Sequence, residues 1–286
     1  MMLSLGICTS TEGRDRSRDI LDLGAPVSRF VLTAADDRRL LLPGWHRALE
    51  RQVHGVVAME TFRAWQLDPH RDFAECARKV RSTWGAGLTY LEVGNEPDDG
   101  GSSSYTMTTD QFTAMLGAFC REFHQGQHEQ PRLISGGLNS GQPPYALAVS
   151  FPPCVLLGLH AYDKSLNGWP WNGWGWGDLV GYLETYRDVW KHLRGVAITE
   201  WGHTSTDAEF GAEYVKRFVQ VLRARPEVQL AEFFCLNDWQ HRPHGLVQDD
   251  GARRKQFERY ALEIRTQPPA RDRRAFMFAG SAAGWR

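Results

Sequence analysis

The 286-residue sequence predicts an α/β fold built as a single closed (β/α)8 TIM barrel, on three observations. Eight short β-rich runs alternate with amphipathic stretches. The runs are apolar along their length, as strands covered on both faces are. No GxGxxG follows the first run and GxxxxGK[ST] does not occur, so an open doubly wound sheet lacks its usual markers.

The first run, residues 3–10 (LSLGICTS), opens the barrel, and 27–33 (VSRFVLT) and 53–59 (VHGVVAM) follow it. The fourth and fifth are 89–96 (TYLEVGNE) and 132–138 (RLISGGL). The last three are 155–162 (VLLGLHAY), 195–202 (GVAITEWG) and 230–238 (LAEFFCLND). Between them, residues 70–84, 108–124, 178–193 and 208–225 carry apolar side chains at three- and four-residue spacing, the pattern of a helix that covers one side of a sheet. Asp110, Asp178 and Asp207 stand near three of the helix starts, where an acidic group suits the unpaired N–H groups and the dipole. The barrel is expected over residues 1–266, with 267–286 as a C-terminal tail of no clear pattern.

Composition bounds the partners. Lys and Arg (33) nearly balance Asp and Glu (34), so there is no concentrated basic face and no nucleic-acid partner is expected. No apolar run approaches the roughly 20 residues of a membrane helix, and no membrane association is expected. The start has no basic segment followed by a signal-length apolar run. Cytoplasmic residence is therefore the default expectation, which a secreted mature form or a piece of a larger assembly would equally fit. Cys8, Cys76, Cys120, Cys154 and Cys235 are widely spaced, with no CxxC pair, and are expected to be reduced and structural.

Barrel chemistry sits at the C-terminal ends of the strands, and those ends are rich here. They offer Arg29 on the second run, Asn95 and Glu96 on the fourth, and His160 and Tyr162 on the sixth. Glu200 and Trp201 close the seventh, and Asn237, Asp238 and Trp239 the eighth. Runs four and seven face each other across such a barrel, so Glu96 and Glu200 are expected to share a pocket. Paired carboxylates suit glycosidic bond cleavage. A separation of roughly 5–5.5 Å gives retention and about 6.5–9.5 Å inversion of the anomeric centre.

The residues 91–98 (LEVGNEPD) resemble the Asn-Glu-Pro signature on strand four of the clan A retaining glycoside hydrolases, and 197–202 (AITEWG) that clan's strand-seven nucleophile motif. The resemblance spans nearly the whole chain. It implies that Glu96 is the general acid/base, Glu200 the nucleophile, and Asn95 the partner of the sugar 2-hydroxyl. By similarity to family 5, Tyr162 holds the nucleophile, His160 lies near the acid/base, Arg29 keeps Glu200 ionised, and Trp239 floors the subsite beside the bond. Family 5 members carry a histidine at the end of strand three, whereas His54 lies at the other end of that run. The wording of residues 94–98 is also similar to families 39 and 79, so the resemblance is to the clan.

Residues 168–178 (GWPWNGWGWGD) fall in the loop after the sixth run, on the same rim. At least one of Trp169, Trp171, Trp174 and Trp176 is expected to offer a flat face on which a pyranose ring stacks, and Trp201, directly after Glu200, fits either that substrate-binding role or packing on the barrel top. Several such rings suit an oligo- or polysaccharide, expected to be β-linked, cleaved without a cofactor. Packing of the loop as an apolar lid is the plainer alternative.

Two rival readings compete. Metal-assisted hydrolysis would draw on His160, His203, His241, His244 and Asp238, but their spacing is poor and no metal site is expected. A non-catalytic carbohydrate-binding or structural barrel would keep the cleft without turnover. No GxSxG supports a serine hydrolase.

Overall fold

The computed structural model describes residues 3–9, 17–32, 53–57, 72–84, 88–98, 107–124, 131–139, 143–166, 178–203, 205–236, 245–248 and 250–266. Its strands are β1 (Ser4–Cys8), β2 (Val27–Leu32), β3 (Val53–Val57), β4 (Tyr90–Val93), β5 (Arg132–Ser135), β6 (Leu138–Asn139), β7 (Leu157–Tyr162), β8 (Val196–Gly202) and β9 (Val228–Phe233). The helices are α1 (Ser17–Leu23), α2 (Phe73–Trp84), α3 (Thr109–Phe123), α4 (Pro143–Ala148), α5 (Leu179–Thr185), α6 (Arg187–Trp190), α7 (Ala208–Arg223) and α8 (Lys255–Arg265).

All paired strands are parallel, in the order β5-β4-β3-β2-β1-β9-β8-β7-β6. The ring closes where Ile134 bridges Leu156, just before β7. There Leu156 N donates to Leu133 O and Ser135 N to Leu156 O, both at 2.9 Å.

The fifth run, expected as one strand, is broken at Gly136 and Gly137 into β5 and β6. Only glycine fits at 137, where a Cβ would lie 2.2 Å from His160 Nε2 and 2.6 Å from Thr199 Oγ1. The expected helix over 178–193 likewise divides at Tyr186 into α5 and α6.

Asp178 and Asp207 cap α5 and α7 by accepting backbone N–H bonds. Asp110 does not cap. Thr108 does so for α3, with Gln111 completing a capping box.

Two apolar layers hold the barrel. Val27, Tyr90, Ile134, Leu156, Ala197 and Leu230 fill its interior near the strand starts. A larger layer, including Leu91, Phe112, Phe119 and Phe218, lies between the strands and the helices.

The cysteine expectation needs correction. Cys120 and Cys154 form a disulfide joining the end of α3 to the segment before β7, while Cys8, Cys76 and Cys235 are buried thiols outside any disulfide. The partners are 34 residues apart and meet only because α3 packs beside that segment, which spacing does not reveal. Among the described residues no helix is long and apolar enough to cross a membrane. The tail at 267–286 lies outside the described residues.

Candidate active site

Above the apolar plug, the inward positions of the strands turn polar. Two residues along from Val27, Tyr90 and Leu230 stand Arg29, Glu92 and Glu232, all buried. Arg29 organises this layer. Its Nε donates to Glu92 Oε2 at 2.8 Å, its Nη1 to Glu200 Oε1 at 2.6 Å, and its Nη2 to Asn95 Oδ1 at 2.9 Å.

Glu96 sits just past β4 with φ 49°, a left-handed conformation that side chains rarely adopt and that concentrates at functional sites. Gly94, at φ 90°, makes the turn before it, and Glu96 N donates to Gly137 O at 3.0 Å. The chain is thus bent and then tied so that Glu96 lies at the barrel mouth.

Glu200 reaches the same place through an irregularity in β8. Along β7, Leu159 pairs with Ile198 but the next residue, His160, pairs with Glu200, so Thr199 is an extra, bulged residue. Both Thr199 and Glu200 turn inward as a result, and Thr199 Oγ1 donates to Glu92 Oε1 at 3.2 Å.

One imidazole lies between the two carboxyls. His160 Nδ1 is 3.0 Å from Glu96 Oε1, and its Nε2 is 3.7 Å from Glu200 Oε1. With only the width of a ring between those nitrogens, the two oxygens lie within about 9 Å of each other. The Tyr162 hydroxyl donates a short hydrogen bond to Glu200 Oε2.

Burial opposes charge on Glu200, but His160, Arg29 and the bond donated by Tyr162 outweigh it and hold the carboxyl below the usual glutamate range. His160 is drawn the other way: burial disfavours its cation, yet Glu200 and Glu96 push its pKa up. Burial, and then Glu200, push the Tyr162 hydroxyl well up, so it stays a donor. The arrangement offers an ionised carboxylate and a second carboxyl facing one space.

Of the residues singled out from sequence, Arg29, Asn95, Glu96, His160, Tyr162 and Glu200 come together. Trp201 does not. The bulge that turns Glu200 inward sends Trp201 outward, where it is wholly buried, stacked on Phe218 at 4.1 Å and edge-on to Phe233 and Tyr260. It packs the barrel wall against α7 and α8, and truncating such a ring costs about 3–5 kcal/mol. Trp169, Trp171, Trp174, Trp176 and Trp239 lie outside the described residues, as do Asn237, Asp238, His241 and His244.

Sequence reasoning missed the residues beneath the site: Cys8, His54, Glu92, Thr199 and Glu232. Glu92 and Glu232 carried a signal, a carboxyl in the middle of an otherwise apolar strand, as did His54 within VHGVV. Among the described residues, the metal-spaced cluster is Cys120, His124 and Cys154, away from this site and with its two sulfurs joined to each other.

No family model matches the chain, and no curated protein matches it. Solved structures do. An endo-β-1,3-glucanase of family 128, subgroup II, from Sorangium cellulosum is 18% identical with a TM-score of 0.64, covering 90% of this chain and 97% of its own. A subgroup I endo-β-1,3-glucanase from Amycolatopsis mediterranei, in complex with laminaripentaose, is 15% identical with a TM-score of 0.59, over 91% and 99% of the chains. A family 5, subfamily 18 protein from Streptomyces cattleya, in complex with GlcNAc, is 16% identical with a TM-score of 0.62, over 94% and 82%. The chain has the barrel fold of these glycoside hydrolases. Identity this low carries the fold and nothing finer.

Proposed function

We propose that this protein is a retaining glycoside hydrolase that cleaves β-linked oligo- or polysaccharides by double displacement, with Glu200 as nucleophile and Glu96 as acid/base. The observation that carries the reading is the shared ring: His160 lies beside both carboxyls, and Glu200 is further held by hydrogen bonds from Arg29 and Tyr162. An ionised carboxylate pointing into a cleft suits attack on an anomeric carbon. The second carboxyl, on the far side of the imidazole, suits proton delivery to the departing oxygen.

In the first step Glu200 forms an ester to the sugar while Glu96 protonates the leaving oxygen. In the second, Glu96 takes a proton from water, which attacks the ester and frees Glu200. Arg29 and Tyr162 keep Glu200 ionised and oriented before attack. Asn95 uses its carbonyl on Arg29, which leaves its NH2 to meet the sugar 2-hydroxyl. The bound of about 9 Å between the carboxyl oxygens spans the retaining separation and much of the inverting one, so stereochemistry is read by experiment. The tryptophans of the sixth loop and Trp239 complete the proposal as stacking faces for several sugar units. The laminari-oligosaccharide in the Amycolatopsis structure makes β-1,3-glucans the first substrates to try.

The test is hydrolysis of laminari-oligosaccharides and aryl β-glycosides, with NMR of the first anomer released. The β-anomer is expected, and Glu200→Gln should lower kcat by at least about a thousandfold with the fold intact. Wild-type turnover in Glu200→Gln, release of the α-anomer, or binding without hydrolysis in the wild type would overturn the reading.

A further inference from the structure

Below the catalytic carboxyls lies a buried chain of ionisable groups that double displacement does not use. His54 Nδ1 is 2.7 Å from Glu232 Oε2, and its Nε2 is 3.4 Å from Glu92 Oε2. Glu92 in turn holds Arg29, which holds Glu200. Glu92, His54 and Glu232 are wholly buried, on β4, β3 and β9.

One imidazole between two carboxyls leaves a proton to be placed. Glu92 already accepts from Arg29 Nε, Gly137 N at 2.7 Å and Thr199 Oγ1, which is the coordination of an ionised acceptor. Glu232 has none of these donors. Its Oε1 has no hydrogen-bond partner among the described residues, and it lies so close to β1 that a Cβ on Gly6 would come within 3.0 Å of it. A carboxylate with one bare oxygen, sealed from water, is the costlier state.

We infer that Glu232 is a neutral carboxylic acid that donates its proton to His54 Nδ1, and that the Glu232–His54 pair is a positioning device acting through Glu92 and Arg29 on Glu200. In this arrangement the Glu232–His54 link has one donor and one acceptor, and His54 Nε2–H faces Glu92 Oε2 at 3.4 Å without a hydrogen bond, so the imidazole acts on Glu92 through its dipole and packing. The groups facing Glu232 agree with it. Burial raises its pKa well above the usual value; Arg29 opposes this, and Glu92 and Glu200 add to it. The Tyr90 and Tyr260 hydroxyls and the Cys8 thiol nearby are held neutral by burial. His54 is pushed down to about 3 by burial, so it does not take the proton.

The positioning role rests on the glycosidase reading, whereas the proton assignment does not. The first measurement is therefore carbon-13 NMR of protein labelled at glutamate Cδ, between about pH 5 and pH 9. One protonated, non-titrating carboxyl is expected, absent from Glu232→Gln. A spectrum in which every glutamate is ionised at neutral pH overturns the inference even if Glu200→Gln has upheld the hydrolase. The second measurement is kinetic. Glu232→Gln keeps the shape and a donor, and should retain kcat within about threefold. Glu232→Met removes the donor and should lower kcat about tenfold or more with little change in KM, while the acidic limb of kcat/KM moves to higher pH as Arg29 loosens from Glu200. A folded Glu232→Met with wild-type kcat and limb, or a Glu232→Gln as damaged as Glu232→Met, refutes the positioning role.

Discussion

At the scale of single residues, Glu200 is governed by a balance between burial and its donors. Removing the Tyr162 hydroxyl leaves Arg29 and His160 to oppose burial unaided, so Tyr162→Phe should raise the pKa of Glu200. We expect kcat/KM to fall about 10–100-fold and its acidic limb to move to higher pH, measured as a pH–rate profile; an unchanged limb would mean that Tyr162 does not act on the nucleophile. Glu96 illustrates a different constraint. Its left-handed backbone is bearable because Gly94 turns the chain before it and Gly137 O anchors its N–H. Neither strain nor anchor is legible in the string GNEP, although the identity of the carboxyl is.

At the scale of elements, two devices shape the site: the glycine break between β5 and β6, and the bulge at Thr199. The first admits His160 to the barrel axis. The second decides which of two neighbours, Glu200 or Trp201, faces the cleft. Away from the site, the Cys120–Cys154 link closes a 34-residue span from α3 across β5 and β6 to the start of β7. Loop-closure arithmetic makes this worth about 3–4 kcal/mol, so reduction, or Cys154→Ser, should lower the urea midpoint accordingly while leaving far-UV circular dichroism unchanged. No change in midpoint on reduction would mean that the link is not formed or not felt.

For the whole molecule, the buried charges set how stability varies with pH. His54, with an unfolded value of 6.5 and a folded one of about 3, binds its proton only when unfolded, so stability is lost as pH falls below about 6.5. The lowered pKa of Glu200 acts in the same sense, its contribution being lost as pH falls through its folded value. Glu232 and His160 act oppositely. Their folded pKa values are raised, so their contributions are complete at low pH and are lost as pH climbs above 4.5 for Glu232 and 6.5 for His160. Stability should therefore fall on both sides of an optimum. In Glu232→Gln one of the alkaline losses is absent, so wild type should lose up to about 1.4 kcal/mol per pH unit relative to that variant above pH 4.5, read from urea midpoints. A gap that stays constant with pH would show that Glu232 ionises freely in the fold.

The sequence by itself determined the alternation of strands and helices, and hence the barrel and the strand-end identities of Arg29, Asn95, Glu96, His160, Tyr162 and Glu200. Periodicity and motif are local properties, and local physics is written in order along the chain. It did not determine that Thr199 bulges and turns Trp201 into the wall, that Cys120 meets Cys154, or that Glu232, His54 and Glu92 stack beneath Arg29. Those facts depend on which strands lie side by side and in what register, and a slip of one residue exchanges the inside of a barrel for its outside.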